Sequence, residues 1–563
     1  MNDAINLEKL FLEKKYTQII SIIEKIPDNK RNSGLLNLLG VCKMSLSGSN
    51  ENLESAIKEF KNSYLKEKNS TNAFHALRNL INASVILFDN KYQNNETLVE
   101  KDFFNEIFEF YNQNKNYFEN NIPHALAIIK VFKRCLDIDS VIRHLKRIVE
   151  KDFSNTDALS SLCFFNNLKY DWDQAKYLKY SRMLNDRLKQ YSSKELINLK
   201  SKKEKKINLA FISSDIRFKH SVTYFLRSIL TEYDKEKFNI YLYLNSKYED
   251  ETTSELKRYV HSTKNIVDLN DLSAINLIRK DQIDIVIDLN GFSSNHRLTL
   301  FKNRIAPIQI SWCGYTNTTG LNEMDYLITD KNLIYKSEQN LYSEKVIYMS
   351  DIWNCHSGYN IDRNKIVSPL EKNKFVTFGS FNNFLKINDD VVKVWSSILK
   401  KVDKSKLILK SSIPCSKEEI LKKFKKNGIS SEIEFLPFKK SFDEHLKEYK
   451  KIDIALDTFP WNGVTTSFEA IWMGVPVITI KGFNFSSRCG ESINKNIGLN
   501  NLIAINQDDY VNKSVMIAND KKKLEELRKK IFDNALESSL FNKEKFSKFF
   551  YNCIENTFKE KYL

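Results

Sequence analysis

The sequence lacks three features that would place it in common classes of protein. No apolar stretch approaches the ~20 residues of a membrane-spanning helix, so we expect no membrane span. The N-terminal segment contains Asp3, Glu8 and Glu13 and no apolar core, which argues against a secretory signal. The eight cysteines include no CxxC pair, so reduced thiols are favoured over a disulfide framework or a zinc site. These absences predict a cytoplasmic protein.

The composition is that of a globular protein, with 42% hydrophobic and 28% charged residues. The 563 residues are enough for two to four domains. The net charge of +16 suggests either binding to nucleic acid or a lysine-rich solvated surface. We favour the second interpretation and predict no nucleic-acid partner, although a positive field would still attract small anionic ligands.

Residues 1 to about 200 show apolar residues at helical spacing, beginning with one helix predicted over 7–26. Part of this region resembles a tetratricopeptide repeat, in which small residues let two helices of a hairpin pack closely. The residues that carry this likeness are Leu39, Gly40, Ala56 and Phe60. An insertion at 45–53 disturbs the repeat length. Residues 158–184 show a weaker likeness to the same repeat. We predict degenerate repeats, with a generic helical bundle as the alternative.

After a polar, basic linker at 201–206, short apolar strands alternate with helices. Predicted strands lie at 207–213, 240–244, 283–289, 375–378, 407–410, 433–436, 452–456 and 477–480. This alternation predicts mostly parallel, doubly wound sheets. Because a loop-rich stretch at 351–374 interrupts it, we expect two Rossmann-like lobes, followed by charged amphipathic helices over 521–562.

Small hydroxyl residues follow the predicted strand 452–456, in the segment 457–469, where a helix begins. A helix N-terminus offers free N–H groups and partial positive charge, which suit a diphosphate. Thr465 and Thr466 would bond phosphate oxygens, and Glu469 would accept hydrogen bonds from ribose hydroxyls. The alternatives are threonines that cap the helix and a first-turn glutamate that favours the helix dipole.

Two further strand ends carry candidate residues. Lys386 follows strand 375–378, and one cation among amides suits a leaving diphosphate. His220 follows strand 207–213 and would act as an acid or base or orient a ligand. The alternatives are a solvated surface lysine and a structural histidine.

Seven stretches occur in order along the chain: SSDIRFKHSVTYFL (213–226), DLNGF (288–292), APIQISWCGYTNTTGLNEMDYLITD (306–330), YSEKVIYM (342–349), FGSFNNFLKIND (378–389), DIALDTFPWNGVTTSFEAIWMGVPVITIKG (453–482) and SSRCGESI (486–493). Together they resemble the O-linked GlcNAc transferase and SPINDLY family of glycosyltransferases, family 41, over about 205–545. The chain looks like a bacterial-type member with a short helical repeat region.

The resemblance implies an α/β protein of GT-B architecture, in which two Rossmann-like lobes follow an all-α tetratricopeptide-like region. The domains expected are helical repeats (1–200), an N-terminal catalytic lobe (206–365), a C-terminal nucleotide-sugar-binding lobe (374–545) and a C-terminal helix (546–563). It implies an inverting glycosyltransferase that needs no metal or other cofactor. The expected reaction moves GlcNAc from UDP-GlcNAc to Ser or Thr hydroxyls of a polypeptide, which the helical region would present.

By position, the resemblance implies catalytic roles for His220, at the donor–acceptor cleft, and for Lys386, at the diphosphate. It implies donor-binding roles for Asn383, for His445 near the base, for Thr465 and Thr466 at the phosphates, and for Glu469 at the ribose. There are two departures. Val464 stands where some relatives have a histidine, and Asp284 stands at the position inferred for another cleft histidine, so we assign no general base.

Two other functions remain open from the sequence. The first is the same fold with GDP-fucose as the donor, as in the SPINDLY branch. The motifs GYTNTTGL and TFGSFNNFLKI of this chain are close to the sequences of that branch. A non-catalytic repeat scaffold with a decayed enzyme domain is the second alternative, and the candidate site residues argue against it.

Overall fold

The computed structural model describes residues 2–94, 102–191, 206–218, 220–359, 361, 363, 368–411, 413–439 and 441–562. The chain forms two compact units. One comprises Met1–Ile148 with Ser411–Lys422, and the other comprises Val149–Lys410 with Lys423–Leu563. The predicted linker at 201–206 lies outside the described residues except for Lys206.

The described part of the chain up to residue 151 is helical. Its helices are α1 (Asn2–Leu12), α2 (Tyr16–Glu24), α3 (Ser33–Ser47), α4 (Asn50–Lys66), α5 (Thr71–Gln93), α6 (Asn105–Gln113), α7 (Lys115–Asn120), α8 (Ile122–Arg134) and α9 (Ile138–Lys151). The single helix predicted over 7–26 is wrong, because Lys14 adopts a left-handed φ of 56° and separates α1 from α2. Residues 45–53, predicted as an insertion in the repeat, form the end of α3, a short turn at Gly48 and the start of α4 rather than a separate loop.

The close helix packing expected from small residues is confirmed between α3 and α4. A Cβ atom added at Gly40 would lie only 2.5 Å from the Phe60 ring. Phe60 is fully buried, so a larger residue at position 40 would force these two helices apart. Whether the hairpins are true repeats stays a prediction.

The second unit contains a helical hairpin and two parallel sheets. The hairpin is α10 (Thr156–Asn166) and α11 (Gln174–Leu188). The strands of the first lobe are β1 (Ile207–Ser213), β2 (Phe238–Leu244), β3 (Ser262–Asn265), β4 (Ile285–Asp288), β5 (Ile308–Ser311), β6 (Tyr326–Asp330) and β7 (Lys345–Met349). Those of the second lobe are β8 (Thr377–Ser380), β9 (Lys406–Leu409), β10 (Ile433–Phe435), β11 (Ile454–Leu456), β12 (Val477–Ile480) and β13 (Ile503–Ala504).

Helices alternate with these strands along the chain, and the last three follow the final strand. They are α12 (Ser221–Leu230), α13 (Glu251–Lys257), α14 (Asp271–Lys280), α15 (Leu298–Lys302), α16 (Pro369–Asn373), α17 (Asp389–Lys401), α18 (Lys417–Lys426), α19 (Phe442–Lys447), α20 (Thr465–Trp472), α21 (Phe485–Asn496), α22 (Gln507–Ala518), α23 (Lys521–Asn534) and α24 (Lys543–Tyr562). The last helix returns to the first lobe, where the Ser547 hydroxyl donates to the Ser228 carbonyl oxygen of α12 at 2.9 Å.

Both sheets have Rossmann-like strand orders, which confirms the predicted fold class. The first runs β3-β2-β1-β4-β5-β6-β7 and the second runs β10-β9-β8-β11-β12-β13. Within each, the strand order reverses once, between β1 and β4 and between β8 and β11. Ligands of such sheets bind at this switch point, beyond the carboxyl ends of the strands.

The eight predicted strands are all present, with ends shifted by no more than two residues. Five strands were not predicted, namely β3, β5, β6, β7 and β13. β3 has the polar sequence STKN, and β13 has only two residues, too few to show a strand pattern. Among the described residues, no helix has both the length and the apolar character needed to cross a membrane.

Candidate active site

The second lobe has a small pocket at its switch point. β8 pairs with β11 on one side and with β9 on the other, so the loops that follow these strands lie together. Residues that line the pocket include Ser380, Asn382, Tyr449, Asp457 and Thr466. The predicted site segment 457–469 therefore does follow a strand and does border a cavity.

Asp457 holds the loop that follows β11. Its Oδ1 accepts hydrogen bonds from the backbone N–H groups of Gly463 at 2.6 Å and Thr458 at 2.9 Å. Its Oδ2 accepts one from the Thr479 hydroxyl at 2.7 Å. Burial raises the pKa of Asp457 to about 6, although these donors act in the opposite direction. A Cβ atom at Gly463 would lie 2.6 Å from Thr466 Oγ1, so this turn needs a glycine to close.

The two threonines lie in the first turn of α20 but do not cap it. The N-cap residue is Val464, and it makes no side-chain cap hydrogen bond. The alternative interpretation of the threonines as N-caps is therefore wrong. Thr466 Oγ1 instead donates to Asn382 Oδ1 at 3.0 Å. The Ser467 N–H donates to the Val464 carbonyl oxygen at 2.9 Å, which leaves the N–H groups of Thr465 and Thr466, among the described residues, without an intrahelical acceptor. Sequence reasoning missed Asn382, although it lies two residues beyond the end of β8.

Lys386 lies beside this loop, at the end of a short 3₁₀ helix that follows β8. Its Nζ donates to the carbonyl oxygen of Asn462 at 2.7 Å and lies 4.9 Å from the centroid of the Trp461 ring. Burial lowers the pKa of Lys386 to about 8, and the nearby Asp457 carboxylate opposes this shift. The alternative of a solvated surface lysine is therefore wrong.

Asn383 has a different environment from the neighbouring candidates. Its Oδ1 accepts a hydrogen bond from the Leu385 N–H at 3.0 Å, and so it caps the short helix that carries Lys386. A donor-facing role for Asn383 stays a prediction.

Glu469 is buried and accepts hydrogen bonds from two side chains. Its Oε2 lies 2.8 Å from the Tyr449 hydroxyl and 3.1 Å from His445 Nε2. The Lys410 ammonium donates to His445 Nδ1 at 2.8 Å, so Nε2 carries the imidazole proton. Glu469 is thus more than a helix-dipole residue. Lys410 and Tyr449 were missed by sequence reasoning, and only strand pairing places Lys410, at the end of β9, beside β8.

His220 belongs to the switch point of the first lobe. Its Nε2 lies 3.5 Å from Asp215 Oδ1, and Asp215 Oδ2 accepts a hydrogen bond from Asn290 Nδ2 at 3.0 Å. Burial lowers the pKa of His220, against the attraction of the Asp215 carboxylate. His220 Nδ1 is buried and has no hydrogen-bond partner within the described part of the chain. A neutral imidazole with Nε2–H directed at Asp215 leaves Nδ1 as a free acceptor.

Asp284 lies away from His220, which corrects its placement at the position of a cleft histidine. It precedes β4, and its Oδ2 accepts a hydrogen bond from the backbone N–H of Asn208 at the start of β1. It therefore lies at the amino edge of the sheet, opposite the edge where His220 lies.

Aromatic contacts connect α12 of the first lobe with α19 of the second lobe. Tyr224 on α12 stacks on Phe442 of α19, with ring centroids 5.5 Å apart. Phe442 in turn stacks on His445, with centroids 5.7 Å apart. Burial and the nearby Glu469 carboxylate raise the pKa of Tyr224. The helix that begins beside His220 therefore faces the Glu469 side of the second lobe.

The chain matches a known family over most of its length. The model of glycosyl transferase family 41 matches residues 180–360 and 355–550. Two similar plant proteins from Arabidopsis thaliana are named as probable UDP-N-acetylglucosamine–peptide N-acetylglucosaminyltransferases. The SPINDLY protein is 33% identical over 379 residues, which are 66% of this chain and 41% of that protein. The SEC protein is 27% identical over 355 residues, 60% of this chain and 36% of that protein.

A solved structure shares the fold of almost the whole chain. A mutant of the Thermobaculum terrenum O-GlcNAc transferase superposes with a TM-score of 0.80 and 21% identity, covering 94% of this chain and 99% of that one. The chain spans less than half the length of the plant relatives named above. The family match nevertheless covers both lobes and every candidate site residue, and the chain belongs to glycosyl transferase family 41.

Proposed function

We propose that the protein transfers N-acetylglucosamine from UDP-GlcNAc to Ser or Thr hydroxyls of a polypeptide, with inversion and without a metal ion. The names of the two plant relatives, probable UDP-N-acetylglucosamine–peptide N-acetylglucosaminyltransferases, support this donor and a peptide acceptor. No feature of the site specifically favours GDP-fucose.

The observation that carries the proposal is the position of Lys386 at the switch point, beside the first turn of α20. As the glycosidic bond breaks, negative charge develops on the leaving diphosphate. Preformed donors and cations at that point lower the barrier. The Lys386 ammonium and the hydroxyl and backbone N–H groups of Thr465 and Thr466 would supply them.

The nucleoside part of the donor would occupy the neighbouring groups. Glu469 would accept hydrogen bonds from the ribose hydroxyls, and His445 would lie near the base. Lys410 fixes the imidazole tautomer of His445, so both side chains are oriented before the donor binds.

The acceptor would approach from the first lobe. Inversion requires its hydroxyl oxygen to attack the anomeric carbon from the face opposite the departing diphosphate. We place His220 at this hydroxyl, where the unpartnered Nδ1 would accept its hydrogen bond. The helical region would bind the rest of the polypeptide, and a cytoplasmic location is part of the same proposal.

Donor hydrolysis and calorimetric binding across a panel of UDP- and GDP-sugars test the proposal, with and without EDTA. We expect binding and turnover with UDP-GlcNAc that EDTA does not change. Binding of GDP-fucose with no response to UDP-GlcNAc would overturn the choice of donor. Loss of turnover with EDTA, restored by added metal, would overturn metal independence. Binding of no donor would favour the scaffold alternative.

A further inference from the structure

Trp461 connects the α10–α11 hairpin to Lys386, although this hairpin lies outside both lobes. One side of the Trp461 ring is 4.9 Å from Lys386 Nζ. Phe164 of α10 meets the same ring edge-on, with centroids 4.9 Å apart and planes at 75°. The three side chains therefore form a row that runs from the hairpin to the lysine.

A second route from the hairpin reaches the same ammonium group. Asn167, just after α10, has its Oδ1 3.1 Å from the Ser486 hydroxyl. The Ser486 carbonyl oxygen accepts a hydrogen bond from the Asn462 N–H at 3.1 Å. The Asn462 carbonyl oxygen is the acceptor for Lys386 Nζ. Both ligands of the ammonium, the indole ring and the carbonyl, are thus held by the same hairpin.

We propose that Trp461 and Phe164 are positioning residues for Lys386, so that the α10–α11 hairpin is part of the donor diphosphate site. This inference rests on the proposed function. Through these contacts the hairpin would assist departure of the diphosphate. This role is separate from any binding of an acceptor polypeptide by the helical region.

The physical basis is the attraction between an ammonium group and the face of an indole ring. This attraction depends on the ring keeping its face toward the cation, and it is worth about threefold to thirtyfold in an equilibrium constant. Trp461 is only partly buried, so its own lobe does not enclose it. The edge-to-face contact with Phe164 fixes the ring plane, a geometry that aromatic pairs prefer.

The experiment measures UDP affinity by calorimetry and turnover with UDP-GlcNAc for the full chain. The variants are Phe164→Ala, Trp461→Leu and Trp461→Phe, each made alone and combined with Lys386→Met. The matched control is Phe153→Ala, which removes an exposed ring that lies against Arg187 rather than against Trp461. We expect Phe164→Ala and Trp461→Leu to weaken UDP binding threefold to tenfold and to lower turnover about tenfold.

Two features separate positioning from general damage to the fold. Trp461→Phe keeps an aromatic face and should recover most of the loss seen in Trp461→Leu. In the Lys386→Met background, Phe164→Ala and Trp461→Leu should have no further effect on UDP affinity, because the group they position is gone.

Three results would overturn the inference. If both variants bind and turn over like the wild type while Lys386→Met is impaired, the proposed function stands and the positioning role is wrong. If they weaken UDP binding equally with and without Lys386, their effect is structural. If the wild-type chain itself neither binds UDP nor uses UDP-GlcNAc, the proposed function fails and the inference fails with it.

Discussion

Lys386→Met should remove activity while leaving the protein more stable at neutral pH. The substitution keeps a long side chain but removes the ammonium group. We expect turnover with UDP-GlcNAc to fall by about 10²–10³, the effect of losing one group that stabilises transition-state charge. The fold should persist, because the lysine makes one hydrogen bond, to Asn462, and one ring contact.

The gain in stability follows from the lowered pKa of the lysine. The shift from 10.5 to about 8 corresponds to about 3 kcal/mol of unfavourable free energy for the charged form in the folded state. Water reaches part of the side chain, and the lost hydrogen bond costs about 1 kcal/mol. We therefore expect the free energy of unfolding to rise by about 1–2 kcal/mol at pH 7.

This gain should depend on pH. Between pH 8 and 10.5 the unfolded wild-type chain binds more protons at position 386 than the folded chain, so wild-type stability rises with pH in this range. The Met variant has no group that titrates at this position, so its stability does not rise in the same way. The difference in free energy of unfolding between the Met variant and the wild type should therefore be largest below pH 8 and should disappear toward pH 10.5.

Urea unfolding at pH 7 and at pH 10, beside a turnover assay, measures both effects. Lys393→Met is the matched control, because Lys393 is an exposed lysine of the same lobe and should change neither quantity. A Lys386→Met variant that is destabilised equally at both pH values would show that the lysine has a structural role. Unchanged turnover would remove its role at the diphosphate.

Two further substitutions test other parts of the site, and a third tests an ion pair that joins the two lobes. Glu469→Gln removes the charge opposite the expected ribose and should weaken UDP binding about tenfold by calorimetry, because hydrogen bonds to a charged group are lost; unchanged affinity would place the ribose elsewhere. Gly463→Ala puts a Cβ atom 2.6 Å from Thr466 Oγ1 and should destabilise the second lobe by about 1–3 kcal/mol in urea and abolish UDP binding; a variant that binds UDP normally would refute the closed turn. Arg488→Met breaks a two-bond ion pair with Glu338 and should cost about 3–5 kcal/mol in the same assay, since a partly buried carboxylate loses its partner; an effect below 1 kcal/mol would show that the pair is solvated.

The sequence alone determined the class of fold and most strand positions. Apolar runs such as 207–213 and 477–480 are typical of buried parallel strands. Such a run can be recognised in the sequence without knowing which strands lie beside it in the sheet. It also placed Lys386, His220 and the segment 457–469 at strand ends, since these positions follow directly from the strands. The break between α1 and α2 could not be predicted from the sequence, because a lysine at position 14 does not indicate a left-handed φ of 56°.

The tertiary structure alone decided which strand ends are neighbours. Asn382 meets Thr466, and Lys410 meets His445, because β8 lies between β9 and β11 in the sheet. Strand order is set by long-range packing and leaves no local pattern, so these partners were missed, as was the position of Asp284 at the opposite edge. The contact between Phe164 and Trp461 joins residues about 300 positions apart. Side-chain identity showed which groups were available, and only the folded chain determined which of them act together.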